Sequence, residues 1–267
     1  MSKSIRLFTI LFGFFSLAAN ASEWSQFRGL SGQGHAEIKN LPLSWSVSEN
    51  IVWKKELPGT AWSSPVFSEG KLYLSNAVPS GEGFSLRALR LDAVTAKLDW
   101  DVELFRMKTA QRIHRKNSHA SPTPFLESDR LYVHYGNQGT ACLDLNGKVI
   151  WEKRFEYPPV HGSGCSPVIE GELLLFSADG ARDPALYALD KKTGEVRWKA
   201  DRDADASRKF SFCTPLVIEV KETRQIISPT SDFVFSYDLS GKQLWKLNYP
   251  GGYSVVPRPV FANGLVY

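Results

Sequence analysis

The stretch RMKTAQRIHRKNSHASPTP, residues 106–124, gathers the side chains best suited to chemistry, among them Arg112, His114, Arg115, Lys116, Asn117 and His119. Guanidinium, ammonium and imidazole groups in one loop suit a carboxylate, a phosphate or a sugar acid, which they hold by charge-assisted hydrogen bonds. The same place before a Pro-led strand carries His161 in PPVHGSGCSP, Lys209 in SRKFSFCTP and Arg258 in VVPRP. Arg112, His114, Lys116, Asn117, His119, His161, Lys209 and Arg258 are therefore candidate ligand-binding residues of one channel mouth. A surface loop with solvated charges explains residues 106–124 equally well, and the shared position is what favours a pocket.

Other chemistries fit poorly, and no catalytic residue is assigned. His114 and His119 stand five apart in a loop without an acidic pair at metal-ligand spacing, so no metal site is assigned. HGSGC is not the nucleophile elbow GxSxG, which leaves Ser163 a loop residue. DGARD, residues 179–183, lacks the length and alternation of a calcium loop. Cys142, Cys165 and Cys213 form no CxxC, and an odd count leaves at least one thiol unpaired. Cys165 and Cys213 share a repeat position two residues before Pro167 and Pro215, where they read as free, small core residues.

The elements that must carry these loops repeat. Trp53, Trp100, Trp151, Trp198 and Trp245 are spaced 47, 51, 47 and 47 residues apart, and a fixed period of that size signals a repeat architecture. Each unit runs through a Pro-led strand (SPVF, TPFL, SPVI, TPLV, RPVF), a second strand, a strand ending in Asp and a strand ending in Trp. Four short strands rich in β-branched and aromatic residues predict an antiparallel propeller blade. The recurring tryptophans, residues 53, 100, 151, 198 and 245, are expected to dock blade on blade, because an indole buries about 200 Å² and can donate its N–H to a backbone carbonyl.

Asn146-Gly147, Ser240-Gly241 and Thr193-Gly194 put glycine where the hairpin needs a positive φ. The first unit has Thr95-Ala96 there, and because alanine in that conformation costs about 1 kcal/mol, its turn is expected to take a different shape.

Residues 1–21 read as a signal peptide: Lys3 and Arg6, an apolar run from Ile5 to Ala19, then Ala-Asn-Ala. That run is too short for a span of roughly 20 residues, so the chain is expected to be periplasmic or secreted, with no direct membrane insertion after signal removal. Residues 22–48 predict an extended strap ordered by Trp24, Phe27 and Trp45. Residues 49–267 predict a partial propeller, with a closing strand at 49–58, blades at 60–105, 106–156, 157–201 and 205–249, and the start of another at 252–267. The ring is expected to be incomplete, the amino-terminal part of a protein of roughly 400 or more residues. The net charge of +4 is spread along the chain, which argues against nucleic acid as a partner.

LDKKTGEVRW, residues 189–198, resembles the tryptophan-docking repeat of the pyrroloquinoline-quinone-like (quinoprotein) β-propellers, and variants of it cover residues 53–267. WSQFRGLSGQG, LPLSWSVSENIVWK, KNSHASPTP and YSVVPRPVF are similar to a bacterial envelope group known as quinoprotein-like repeat proteins. The resemblance implies a ring of about seven or eight blades and a secreted location, with no settled activity. Three functions follow from these readings. One is a non-catalytic binding or scaffold module whose partner is an envelope protein, a peptide or an anionic glycan. The second is a dehydrogenase dependent on pyrroloquinoline quinone and calcium. The resemblance implies for it a vicinal cysteine pair, an acidic base and calcium-binding Glu and Asn residues, none of which can be placed here, so no cofactor is evident. The third is a hydrolase or lyase on an anionic polysaccharide, with His114 or His119 as base and no partner carboxylate.

Overall fold

The computed structural model describes residues 23–37, 41–202, 205–206 and 208–267, so the signal segment at residues 1–21 lies outside the described residues. Four antiparallel four-stranded sheets follow one another along the chain. The first holds β1 (Val66–Ser68), β2 (Lys71–Ser80), β3 (Gly83–Asp92) and β4 (Leu98–Met107). The second holds β5 (Phe125–Leu126), β6 (Arg130–His134), β7 (Thr140–Asp144) and β8 (Val149–Lys153). The third runs from β9 (Val168–Glu170) through β10 (Leu173–Ala178) and β11 (Ala185–Asp190) to β12 (Val196–Asp201). The fourth comprises β13 (Leu216–Val220), β14 (Thr223–Thr230), β15 (Phe233–Tyr237) and β16 (Gln243–Asn248). A hairpin of β17 (Phe261–Ala262) and β18 (Leu265–Val266) comes after them. The fold is all-β, a propeller of four-stranded blades that does not close into a ring over the described residues. Apart from one 3-10 turn at Gly136–Gln138, the described residues form no helix, and none is long and apolar enough to cross a membrane.

Each innermost strand begins directly after its proline, because a proline has no N–H to give to a ladder. The residue before that proline links neighbouring blades. Ser64 N–H donates to Thr123 Oγ1 at 3.0 Å, Thr123 N–H to Ser166 Oγ at 2.9 Å, and Ser166 N–H to Thr214 Oγ1 at 2.9 Å. These bonds satisfy buried backbone donors that the short inner strands leave without a ladder partner.

The tryptophans link the blades at their outer edges. Indole N–H groups of Trp53, Trp100, Trp151 and Trp198 donate to the carbonyls of Ala93, Leu145, Lys191 and Leu239, at 2.8, 3.0, 3.0 and 2.9 Å. Each acceptor follows the turn aspartate of the next unit. In all four blades the register between third and fourth strands shifts just before that aspartate, leaving an extra residue ahead of the tryptophan. Such a bulge re-aims the following side chain. Trp245 differs: it donates to Gln225 Oε1 of its own blade at 3.0 Å and is 38% exposed.

Turn glycines serve the docking as well as the turn. A Cβ on Gly194 would lie 2.6 Å from the Trp151 ring, and one on Gly241 would lie 2.7 Å from Trp198. Gly194 also has φ +75°. Gly194→Ala is therefore expected to cost about 2 kcal/mol, measured as a lowered urea midpoint; an unchanged midpoint would remove the close-approach role.

The Thr95-Ala96 turn does not differ in shape, contrary to the sequence expectation. Ala96 takes φ +57° and donates to Asp92 O at 2.9 Å, as Gly194 donates to Asp190 O at 2.8 Å. Asp92 Oδ1 accepts the N–H groups of Val94 and Thr95, and Asp190 Oδ1 those of Lys192 and Thr193. The aspartate brackets hold the backbone firmly enough to impose a left-handed alanine.

Between the second and third blades His134 is fully buried, tilted against Phe176 at 4.4 Å, with Nδ1 2.8 Å from Thr140 Oγ1 and Nε2 without a partner among the described residues. Burial pushes its pKa down to about 3. The unfolded chain, with an ordinary imidazole near 6.5, then binds one more proton than the folded chain between pH 3 and 6.5. Stability therefore drops as the pH is lowered through that window, by about 1.4 kcal/mol per unit. His134→Leu is expected to lose about 2 kcal/mol less than the parent between pH 7 and pH 5, read from urea unfolding at both; equal losses would contradict a neutral buried imidazole.

The strap crosses the inner ends of several blades. Trp24 exchanges backbone bonds with Phe67 of β1, Leu126 N–H donates to Ser25 O at 2.8 Å, and Gln33 bonds both backbone groups of Phe261.

Candidate functional site

Loops entering the second, third and fourth blades and the final hairpin converge on a cleft of about 430 Å³. His114, Lys116, Asn117, His161, Phe212 and Val256 line it, and Phe27 of the strap contributes from the N-terminal segment. The segments 108–124, 157–167, 206–215 and 249–260 contain no Asp or Glu. Of their cations, Arg112, Arg115, Lys116, Arg208 and Lys209 are exposed, and among the described residues none of these five forms an ion pair with a carboxylate. The cleft mouth is thus positively charged without internal neutralisation.

Asn117 ties the first two loops together. Its amide donates to His161 O at 2.8 Å and Ser163 O at 3.2 Å, while His114 N–H donates to His161 O at 3.1 Å. The Ser121 hydroxyl donates to Asn117 Oδ1. His161 is held at φ +66°, a left-handed conformation that non-glycine residues seldom adopt. Gly162 follows with φ +94°, and a Cβ there would lie 2.8 Å from the Asn117 amide.

Rings continue the wall. His114 meets His161 edge-on at 5.5 Å, His161 meets Phe210 at 5.5 Å, and Phe210 meets Phe212 at 6.0 Å. Arg208 lies 4.1 Å over the Tyr253 ring. Phe212 N–H donates to Val255 O at 2.8 Å. Between the two phenylalanines, Ser211 is buried and its hydroxyl reaches Asp179 Oδ2 at 2.5 Å. Asp179 in turn binds Arg202 Nε at 2.7 Å, with both side chains wholly buried. The cleft loop is therefore anchored to a buried ion pair between the third and fourth blades.

Of the eight candidates, His114, Lys116, Asn117 and His161 come together in the cleft. Arg112 and Lys209 are exposed and do not line it. His119 is half-buried against Phe84 at 4.5 Å, where burial lowers its pKa. Arg258 departs furthest from a channel-mouth role. It is 4% exposed, donates to Pro215 O, Gln26 Oε1 and Phe27 O at 3.0, 3.0 and 2.8 Å, and fastens the strap. Burial lowers its pKa to about 10, which leaves it charged at neutral pH. It occupies the place of the Ser or Thr before proline in earlier units, a position that faces the neighbouring blade rather than the mouth. Phe27, Phe212 and Val256 were not among the candidates, since apolar loop residues carry no periodic signal. The SFC and SVV phrases before their prolines were the only hint.

The three cysteines are free and buried. Burial raises the thiols of Cys142 and Cys165 to about 12 and that of Cys213 further in the same direction, so they are not poised as nucleophiles. Asp179 of DGARD is committed to Arg202 and Ser211.

The sequence model of the PQQ_2 family, described as outer membrane protein assembly factor BamB, matches residues 104–267. The chain belongs to that family. Among solved structures, this PQQ_2 chain is similar to a quinohemoprotein alcohol dehydrogenase from Comamonas testosteroni, with TM-score 0.64 and 13% identity over 94% of this chain and 46% of that one. It is also similar to a europium-containing methanol dehydrogenase, with TM-score 0.59 and 12% identity over 85% of this chain and 49% of that one. The chain spans about half the length of these structures, and at such identity the likeness shows the shared propeller fold. No curated protein matches it.

The fold raises the question of a quinone with calcium. A flat quinone needs a slot between roughly parallel faces, whereas the ring pairs along this cleft stand at 78°, 86° and 57°. Calcium takes six to eight oxygen ligands, commonly carboxylates, and the four loop segments supply no carboxylate. The cleft residues do not fit that pair.

Proposed function

We propose that this PQQ_2 chain is a non-catalytic binding module of the cell envelope, periplasmic or secreted, whose loop-face cleft docks a partner in outer membrane protein assembly. The observation that carries this reading is the convergence of loops from different blades on one acid-free cleft, with aromatic walls and unpaired cations at its rim. Aromatic and arginine side chains at the centre of a concave patch are the usual source of binding energy in protein interfaces. The family description supports outer membrane assembly as the setting.

The alternative is a dehydrogenase dependent on pyrroloquinoline quinone, favoured by the fold shared with two dehydrogenases. One comparison separates the two. The full-length protein and its Arg112→Glu/Lys209→Glu variant are used to capture outer membrane assembly proteins, identified by mass spectrometry. Docking through this face predicts capture by the parent and at least a tenfold loss in the variant, with equal melting temperatures. No difference in capture, together with dye reduction by the parent on quinone, calcium and an alcohol, would favour the enzyme.

A further inference from the structure

We infer that the cleft is a carboxylate site for a peptide segment in which an acidic group stands next to a large apolar side chain. The inference rests on the docking role proposed for the cleft and names the chemistry it selects.

The tautomer of His114 decides between a metal and an anion. Its Nδ1 accepts the N–H of Lys116 at 3.2 Å, so the neutral ring carries its hydrogen on Nε2. Nε2 is then a donor, and neither ring nitrogen of His114 offers a free lone pair to a cation. Two residues on, the Lys116 ammonium is exposed and, among the described residues, has no ion pair. The backbone turn that brings both to the cleft is closed by Asn117 N–H donating to His114 O at 2.8 Å. One imidazole donor and one ammonium on a single short turn match one carboxylate, and the lack of any Asp or Glu in the four surrounding loop segments leaves nothing to compete for them.

Much of the rest of the cleft is apolar, with Ser121 and Ser254 as its other polar lining. Phe27, Phe212 and Val256 line it together with the histidines. Gly164 allows this packing, since a Cβ there would lie 3.0 Å from Phe212 Cβ. A space of about 430 Å³ admits a carboxylate and one or two adjoining side chains, not a folded domain. A sugar acid would bring several hydroxyl groups against Phe27, Phe212 and Val256, where only the Ser121 and Ser254 lining could replace their hydrogen bonds to water. A peptide carrying an aromatic or branched residue beside its carboxylate places apolar surface there instead. The carboxylate can come from an Asp or Glu side chain or from a chain terminus.

Fluorescence anisotropy on the full-length protein tests this with three labelled hexapeptides. One is blocked at both ends and carries aspartate beside phenylalanine, its twin has asparagine for aspartate, and the third has a C-terminal carboxylate after phenylalanine as its only acid. At least one acidic peptide is expected to bind at least tenfold more tightly than the asparagine twin, and which one does so identifies the source. Lys116→Gln and His114→Phe are each expected to remove most of that preference by weakening the acidic peptide far more than the twin, while Phe212→Ala weakens all three peptides. Equal affinity for acid and amide, no binding of any peptide, or binding of an oligogalacturonate or inorganic phosphate in preference to the peptides would overturn the assignment. If peptides fail but the Arg112/Lys209 rim variant still loses its assembly partner, docking stands and only the carboxylate assignment falls. If peptides bind as expected while capture is indifferent to the rim, the docking partner is wrong and the ligand chemistry holds.

Discussion

Asp179→Ala is expected to lower the stability of the full-length protein by about 3 to 5 kcal/mol, because it strands a buried guanidinium. Arg202 is wholly buried, and among the described residues Asp179 is its one charged partner; the others are Ser177 Oγ, Ser228 Oγ, Ser228 O and the Phe235 ring. Those neutral groups cannot compensate a full charge away from water. The effect reaches the cleft, since Ser211 loses the carboxylate that fixes it between Phe210 and Phe212. A double replacement, Asp179→Leu with Arg202→Met, removes both charges and is expected to cost less than Asp179→Ala alone. Urea unfolding followed by tryptophan fluorescence measures both. A double variant that loses the summed cost of its two single variants would mean that the charges act independently.

Trp151→Ala should cost a similar amount, about 3 to 5 kcal/mol, as for buried aromatics in general. Trp151 is 8% exposed, contacts Tyr132 at 6.3 Å between ring centres, and donates to Lys191 O of the next blade. In the chain of residues 1–267, Trp245→Ala, at the same place in the repeat, should cost less than about 1 kcal/mol, because there that indole is exposed and, among the described residues, bonds within its own blade. The contrast is the test: position in the repeat is identical and only contact with a following blade differs. Equal losses would show that the indoles stabilise their own sheets rather than the joints between blades.

The tryptophan joints were legible in the sequence because one interaction recurs at one period, and repetition turns a weak local signal into a firm one. The same logic could have found the Ser or Thr before each inner-strand proline, which repeats as regularly, but a hydroxyl beside a proline reads as turn chemistry until its partner is seen. Ala96 departs from its expectation because the Asp92 bracket overrides the intrinsic penalty of a left-handed alanine, and a bracket of that kind shows only once the turn is formed. In the cleft, His114, Lys116, Asn117 and His161 were accessible to sequence reasoning as polar residues at a shared position. Arg258 instead takes the Ser or Thr place directly before its proline, and its guanidinium reaches Pro215 O and the strap. Direction was not legible, since it depends on which backbone carbonyls lie within reach of a long side chain.

The most direct measurement of the central claim is photo-cross-linking from single positions of the full-length protein in intact cells. Probes at Arg112, Arg115 and Lys209 surround the cleft, and probes at Ser128 and Asp129 sit on the β5–β6 turn, beside a separate cavity lined in part by strap residues Glu23 and Ser25. A docking cleft predicts cross-links to an outer membrane assembly protein from the first set and not from the second. Cross-links from the β5–β6 turn alone, with none from the cleft rim, would contradict it.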